Sequence, residues 1–208
     1  IRPCAGHPHG AGMRVAGRQL FGAHERLAGR GPGRKAAFQR LRVDAGMAFG
    51  LVGEDWFAKN NPNRLVPTID DNGVVLWESN AILTYLATMF PATKALPTDP
   101  RGRADVDRWL HWQSCHLMPA MGALKVSDEK DIHTVTPLLK VLDQQLRGKD
   151  YLLGSLTVAD FAIVAYLITK LGRKLDYSEC PGVVAWLTRM ENLKGFVATQ
   201  VKMPPGAA

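Results

Sequence analysis

Residues 61–90 read Asn61-Pro62-Asn63-Arg64-Leu65-Val66-Pro67-Thr68-Ile69-Asp70-Asp71-Asn72-Gly73-Val74-Val75-Leu76-Trp77-Glu78-Ser79-Asn80-Ala81-Ile82-Leu83-Thr84-Tyr85-Leu86-Ala87-Thr88-Met89-Phe90, and this stretch decides the fold. Pro67 has no N–H to donate, so it belongs at the first residue or the edge of a short strand over 68–70. Asp71-Asn72-Gly73 predicts a hairpin turn, because Asn and Gly accept positive φ at low cost. Residues 74–76 form the return strand. A helix follows, with Ile82, Tyr85, Leu86 and Met89 at i, i+3, i+4 and i+7.

Two points in this unit can carry chemistry. A helix start exposes unpaired N–H groups and a partial positive charge, so Glu78 and Ser79 stand where a ligand carboxylate could be held. Ser79 can equally be a plain N-cap, which the local sequence favours. The second point is the peptide bond before Pro67. A cis bond there would turn the Val66 N–H and C=O outward, where an extended peptide could pair with them.

The order Asn61-Pro62-Asn63, Leu65-Val66-Pro67-Thr68, Gly73, Leu76, Glu78-Ser79-Asn80-Ala81-Ile82, Tyr85-Leu86 resembles the glutathione-binding half of the thioredoxin-like domain of soluble glutathione transferases. The resemblance implies that Val66 pairs through its backbone with the cysteinyl unit of glutathione beside a cis Pro67. It implies also that Glu78 and Ser79 hold the γ-glutamyl end. Arg64 departs from the small residue common at that place in similar sequences.

The rest of the chain is consistent with that frame. Its 208 residues, 46% of them hydrophobic, suffice for one large or two small domains. No run of 18 uncharged apolar residues exists, so no transmembrane helix is expected. Cys4, Cys115 and Cys180 are odd in number and widely spaced, which argues for a reducing, cytoplasmic setting rather than a disulfide framework. The net charge of +7 is concentrated at the front: residues 1–36 hold seven cations against Glu25 alone. With the body nearly neutral and no aromatic interleaving, nucleic-acid binding is disfavoured.

Residues 1–36 are the exception. They contain eight glycines and Val15 as the sole β-branched residue after Ile1, with no sustained period of 2 or 3.6. In the resembled family this region supplies a first strand, a loop bearing the thiol-activating residue and a first helix. Residues 6–15 echo that loop faintly, with glycine where a hydroxyl is wanted. The composition suits a GC-rich stretch read in the wrong frame or an incorrectly assigned start. His7 and His9 alone are too few to hold a metal.

Regular patterning begins at Phe38, Leu41 and Val43, which suggest a strand, followed by a glycine-punctuated loop over 44–50 and a helical turn around 55–59. Residues 91–100, with three prolines, read as an interdomain linker. Beyond it the pattern is helical. Residues 101–117 form one long helix, with Val106, Trp109, Leu110 and Leu117 on its core stripe. By resemblance this helix walls an electrophile pocket, which makes Trp112 and His116 its candidate lining. The alternative of packing and surface roles carries equal weight. His111, Cys115 and His116 lack a fourth ligand, and no metal is expected. Leu138, Leu139, Leu142 and Leu146 line the next helix, which Gly148 can end. Thr157 and Asp160 form a capping box, with Leu156 stapled onto Phe161, at the head of a helix running to about residue 171 that is apolar all round. A last helix, opened by Pro181-Gly182, carries Val184, Leu187 and Met190.

The expected organisation is therefore an atypical basic segment over 1–36, an incomplete thioredoxin-like α/β domain over 37–90, a linker over 91–100 and an all-α domain over 101–208. By resemblance, the implied function is glutathione S-transferase: a cytoplasmic, homodimeric detoxification enzyme joining glutathione to small hydrophobic electrophiles. Its catalytic residue is unidentified. The alternatives are a glutathione-binding or dimerising module of the same fold with little catalysis, and a product that folds poorly because of residues 1–36.

Overall fold

A computed structural model of the chain describes residues 14–16, 39–40, 53–124 and 132–199. The histidines at 7 and 9, Cys4, and the expectations for residues 41–50 lie outside the described residues.

The hairpin forms as its turn residues dictate. Strand β3 (Thr68–Asp71) and strand β4 (Val74–Trp77) are antiparallel, with Thr68 opposite Trp77 and Asp71 opposite Val74. Asn72 at φ 53 and Gly73 at φ 91 supply the two positive-φ positions of a tight turn, and Gly73 N–H donates to Asp70 Oδ1 at 2.8 Å. The first strand that the composition of residues 1–36 argued against is nonetheless present. Strand β1 (Arg14–Ala16) pairs antiparallel with β3, Val15 opposite Ile69, and parallel with β2 (Gln39–Arg40), which gives the sheet order β2-β1-β3-β4. A three-residue strand between two neighbours is set by backbone pairing and needs no side-chain period of its own. Helix α1 (Asp55–Asn60) buries Phe57, and helix α2 (Ser79–Met89) buries Ile82, Leu83, Leu86 and Ala87.

The linker is not a loose tether. Ala95 and Leu96 are buried, and Ala95 C=O accepts from Val158 N–H at 2.9 Å. Asp99 then caps helix α3 (Pro100–Trp112), its carboxylate accepting from Gly102 N–H at 2.8 Å with Pro100 at the first turn. The single helix expected over 101–117 is interrupted: residues Gln113–Leu117 are π-helical and lead into α4 (Met118–Ala123). Helix α5 (Ile132–Leu146) buries Leu139, Leu142 and Leu146, and Gly148 follows at φ 69. Helix α6 (Val158–Leu167) is buried on every side from Val158 to Val164, as its unbroken apolar run requires, and packs against α2 and α3. It ends at Leu167, four residues earlier than its apolar character suggests.

Helix α7 (Pro181–Glu191) corrects one stripe by a residue. The buried face is Val183, Trp186 and Met190, while Val184 is exposed and Leu187 half-buried. Trp186 sets that rotation, because its ring is fully buried and its Nε1 bonds to Asp160 at 3.0 Å. Helix α8 (Lys194–Thr199) follows. Ile69, Ile82, Leu83 and Leu86 of the α/β unit and Val106, Leu117, Leu139 and Ile163 of the helical unit belong to one apolar cluster, so the two units share a core. Among the described residues no helix is long and apolar enough to cross a membrane.

Candidate functional site

The site lies where the loop before β3 faces the junction of β4 and α2. Asn61, only 1% exposed, shapes the loop. Its Nδ2 donates to Leu65 C=O at 2.7 Å and Thr68 Oγ1 at 3.0 Å, while its Oδ1 accepts from Asn63 N–H at 3.0 Å. A buried amide with every group satisfied is a rigid strut. The Val66–Pro67 bond is cis. Val66 is half-buried, and among the described residues neither its N–H nor its C=O has a partner. Arg64 is exposed, at φ 54, and its guanidinium donates to Gly53 C=O at 2.5 Å.

Across from this loop, Glu78 occupies the N-cap position at φ 71, ψ 117, and its C=O accepts the first helical bond, from Ile82 N–H at 3.0 Å. Ser79 is thus the first residue of the helix and not its cap. Among the described residues its hydroxyl has no hydrogen-bond partner. The N–H groups of Ser79, Asn80 and Ala81 precede the first intrahelical bond, so a hydroxyl and several amides converge on one small electropositive region. A non-glycine residue in the left-handed region costs on the order of 1–3 kcal/mol and persists where surroundings hold it. Glu78→Gly is accordingly expected to raise the stability of the ligand-free protein by about 1 kcal/mol in denaturant melts. A loss of stability would instead mean that the Glu78 side chain makes folding contacts beyond this backbone.

Asn80, next in the helix, joins the two domains. Its Nδ2 lies 3.0 Å from Leu110 C=O, 2.9 Å from Gln113 Oε1 and 2.9 Å from Ser114 Oγ, while its Oδ1 is buried without a partner among the described residues. Gln113 is 1% exposed and lies beside the phenol of Tyr166 on α6. Burial pushes the Tyr166 phenol upward, the neighbouring Gln113 side chain opposes that shift, and the charge of Glu78 adds to it.

The helical candidates sit differently. Trp112 is half-buried against the core and packs edge-on against Trp109, ring centroids 5.2 Å apart. His116 is exposed on the π-helical segment, beside the exposed Cys115. His111 is held by its own helix, Nδ1 lying 2.7 Å from Asp107 C=O. Thr157 and Asp160 lie in the core of the helical unit and close a capping box at the head of α6.

Sequence reasoning missed Asn61, Asn80, Gln113 and Tyr166. Gln113 carried a usable signal: it falls three residues after Leu110 and four before Leu117, a polar side chain on an apolar stripe.

The chain matches the family model described as "Glutathione S-transferase, N-terminal domain" over residues 44–88 and that described as "Glutathione S-transferase, C-terminal domain" over residues 114–194, together more than half of its length. It is 34% identical over 142 residues to glutathione S-transferase D7 of Drosophila melanogaster, 63% of this chain and 63% of that protein. The chain thus spans a little under two thirds of that relative. A possible glutathione S-transferase from Rhodopseudomonas palustris superposes with a TM-score of 0.73 at 28% identity, covering 92% of this chain and 99% of that one. A glutathione transferase family member from Pseudomonas fluorescens Pf-5, solved with two glutathione molecules bound, gives a TM-score of 0.78 at 20% identity over 91% of this chain and 92% of that one. At that identity the likeness is one of fold.

Proposed function

Because the chain belongs to the glutathione S-transferase family, we propose that it binds glutathione at the Val66, Pro67, Glu78 and Ser79 site and transfers it to small hydrophobic electrophiles. The observation that carries this reading is that, among the described residues, the Ser79 hydroxyl at the open start of α2 and the Val66 backbone across from it have no hydrogen-bond partner. The γ-glutamyl carboxylate takes the hydroxyl and the helix-start amides. The cysteinyl unit pairs with Val66 as a short added strand. Its thiolate attacks the electrophilic carbon, a C–S bond forms, and the leaving group departs with the bonding pair.

Transfer needs a thiolate, and a free thiol ionises near pKa 8.5. A positioned donor or positive potential must lower that value. Residues 1–36 contain no Ser, Thr or Tyr, which favours a second reading: a glutathione-binding protein of the same fold with weak turnover. Calorimetric titration with glutathione, followed by turnover of a generic aryl halide, separates the two. Saturable binding with turnover above the uncatalysed rate supports the transferase. Binding without turnover supports the second reading, and absence of binding removes both.

A homodimer is part of the proposal, supported by the exposed Val74 and Trp77 on edge strand β4. A cytoplasmic location and a detoxifying role accord with the free Cys115 and Cys180 and the apolar substrate class. Trp112 and His116 remain the proposed electrophile-side residues on the strength of the family resemblance.

A further inference from the structure

In the helical domain, the turn that follows α5 and the exposed side of α7 enclose an open hollow of about 560 Å3. Small-molecule sites occupy roughly 300–1,000 Å3. The hollow shares no residue with the Val66, Pro67, Glu78 and Ser79 region. Arg147, Lys149 and Arg189 border it against the single carboxylate of Asp150, which leaves an excess of positive charge inside a concave surface.

Local bonding fixes the walls of the hollow. Gly148 at φ 69 turns the chain out of α5, and Lys149 N–H closes on Leu146 C=O at 3.0 Å. The loop beyond is pinned from two sides: Gln145 Nε2 donates to Leu152 C=O at 2.6 Å, and Leu152 N–H donates to Asp160 Oδ1 at 2.9 Å. A side chain at Gly148 or Gly154, both lining residues, would meet nothing within 4 Å, so both glycines border open space. On the α7 side Arg189, its side chain 34% exposed, donates to Asp150 C=O at 2.6 Å and lies 3.0 Å from Asp150 Oδ1, with its guanidinium 5.9 Å from the Tyr151 ring centroid. Those bonds hold the guanidinium still and use only part of its donor set. Asp150 is thereby neutralised. Arg147 and Lys149 are exposed and have no ion-pair partner among the described residues.

We propose that this hollow is a second binding site, which takes the phosphate group of a small phosphorylated molecule through Arg147 and Lys149 from the turn and the remaining N–H groups of Arg189 from α7. The two unpaired cations match a phosphate dianion, whereas a monocarboxylate leaves one of them uncompensated. A guanidinium fork suits phosphate oxygens, and an ammonium serves as a point charge beside it. So few cations, set in a concavity, suit a compact ligand better than the long backbone of a nucleic acid, which draws its affinity from many phosphate contacts. The inference is independent of the glutathione-binding reading.

The test is calorimetric titration of the full chain at low ionic strength with inorganic phosphate, with pyrophosphate and, as a control, with acetate. Thermal midpoints are measured on the same samples. Ala185 is exposed, helical and lines the hollow, so Ala185→Glu places a carboxylate there without removing any cation, and Ala185→Gln is its neutral counterpart. Both substitutes are good helix formers. Pyrophosphate is expected to bind saturably, one per chain, with a Kd below about 1 mM, and to weaken as salt rises. Ala185→Glu should raise that Kd about tenfold or more, and Arg147→Gln with Lys149→Gln about tenfold, while Ala185→Gln changes it less than about threefold. Equal affinities for phosphate and pyrophosphate identify a monoester as the ligand class, and tighter pyrophosphate binding identifies a diphosphate. Absence of saturable binding overturns the proposal, as does acetate binding as tightly as phosphate. A double variant with a lowered midpoint and an unchanged Kd assigns Arg147 and Lys149 to the C-terminal end of α5 alone and overturns it. Pyrophosphate binding that glutathione abolishes and Ala185→Glu leaves intact places the anion at the start of α2, which also overturns it.

Discussion

Asp160→Ala is expected to destabilise the protein by at least about 3 kcal/mol, a large share of the roughly 5–15 kcal/mol that a folded domain possesses. The capping box alone would be worth about 1–2 kcal/mol. In the folded chain, however, Asp160 is fully buried, and its carboxylate accepts from Thr157 N–H at 2.9 Å, Leu152 N–H at 2.9 Å, Trp186 Nε1–H at 3.0 Å and the Thr157 hydroxyl at 3.2 Å. The first three donors belong to residues that are themselves 1% exposed or less. Removing the carboxylate leaves them unsatisfied, and each such group costs about 1–3 kcal/mol. Burial pushes the Asp160 carboxyl upward against the opposing pull of these hydrogen bonds. Its work is therefore that of a multidentate acceptor at the head of the central helix. Urea melts measure the loss. Asp160→Asn, which keeps one acceptor oxygen, should fall between the wild type and the alanine variant. A normal melt for Asp160→Ala together with lost turnover would assign Asp160 to chemistry instead.

The contrast between Asp160 and Ser79 shows what local sequence can carry. The Thr157-Val158-Ala159-Asp160 spacing is enough to read a helix start, because both partners of the box lie within four residues. Leu152 and Trp186 are 8 and 26 residues from Asp160, and nothing in the local pattern marks them as its donors. The hairpin was legible for the same reason as the box, since Asn72 and Gly73 satisfy a backbone requirement on the spot. Strand β1 was not legible, because its place between β2 and β3 depends on backbone pairing with residues more than 20 positions away and its own composition offers no period. The interruption of the helix at residues 113–117 was equally hidden, since Gln113, Ser114, Cys115 and His116 are as compatible with an ordinary α-helical turn.

Ser79 was misassigned locally and is the more informative for it. A serine before an apolar helical run reads as a cap, yet the cap position belongs to Glu78 at positive φ, and the Ser79 hydroxyl is left without a partner among the described residues. A cap serine that is not capping is available to a ligand. Ser79→Ala is therefore expected to weaken glutathione binding by about 1.5–3 kcal/mol, the worth of one hydrogen bond to a charged acceptor, which corresponds to a Kd raised from roughly tenfold to somewhat over a hundredfold. Stability should stay within about 0.5 kcal/mol of the parent, because the hydroxyl makes no folding contact among the described residues and alanine is at least as good a helix former. Calorimetric titration and a denaturant melt on one preparation give both numbers. Unchanged affinity would place the carboxylate on backbone amides alone. An unchanged Kd accompanied by a loss of about 1 kcal/mol in stability would restore the capping role. Weakened binding with an unaltered melt separates ligand recognition from folding at a single oxygen atom, and it is the outcome that the open start of α2 requires.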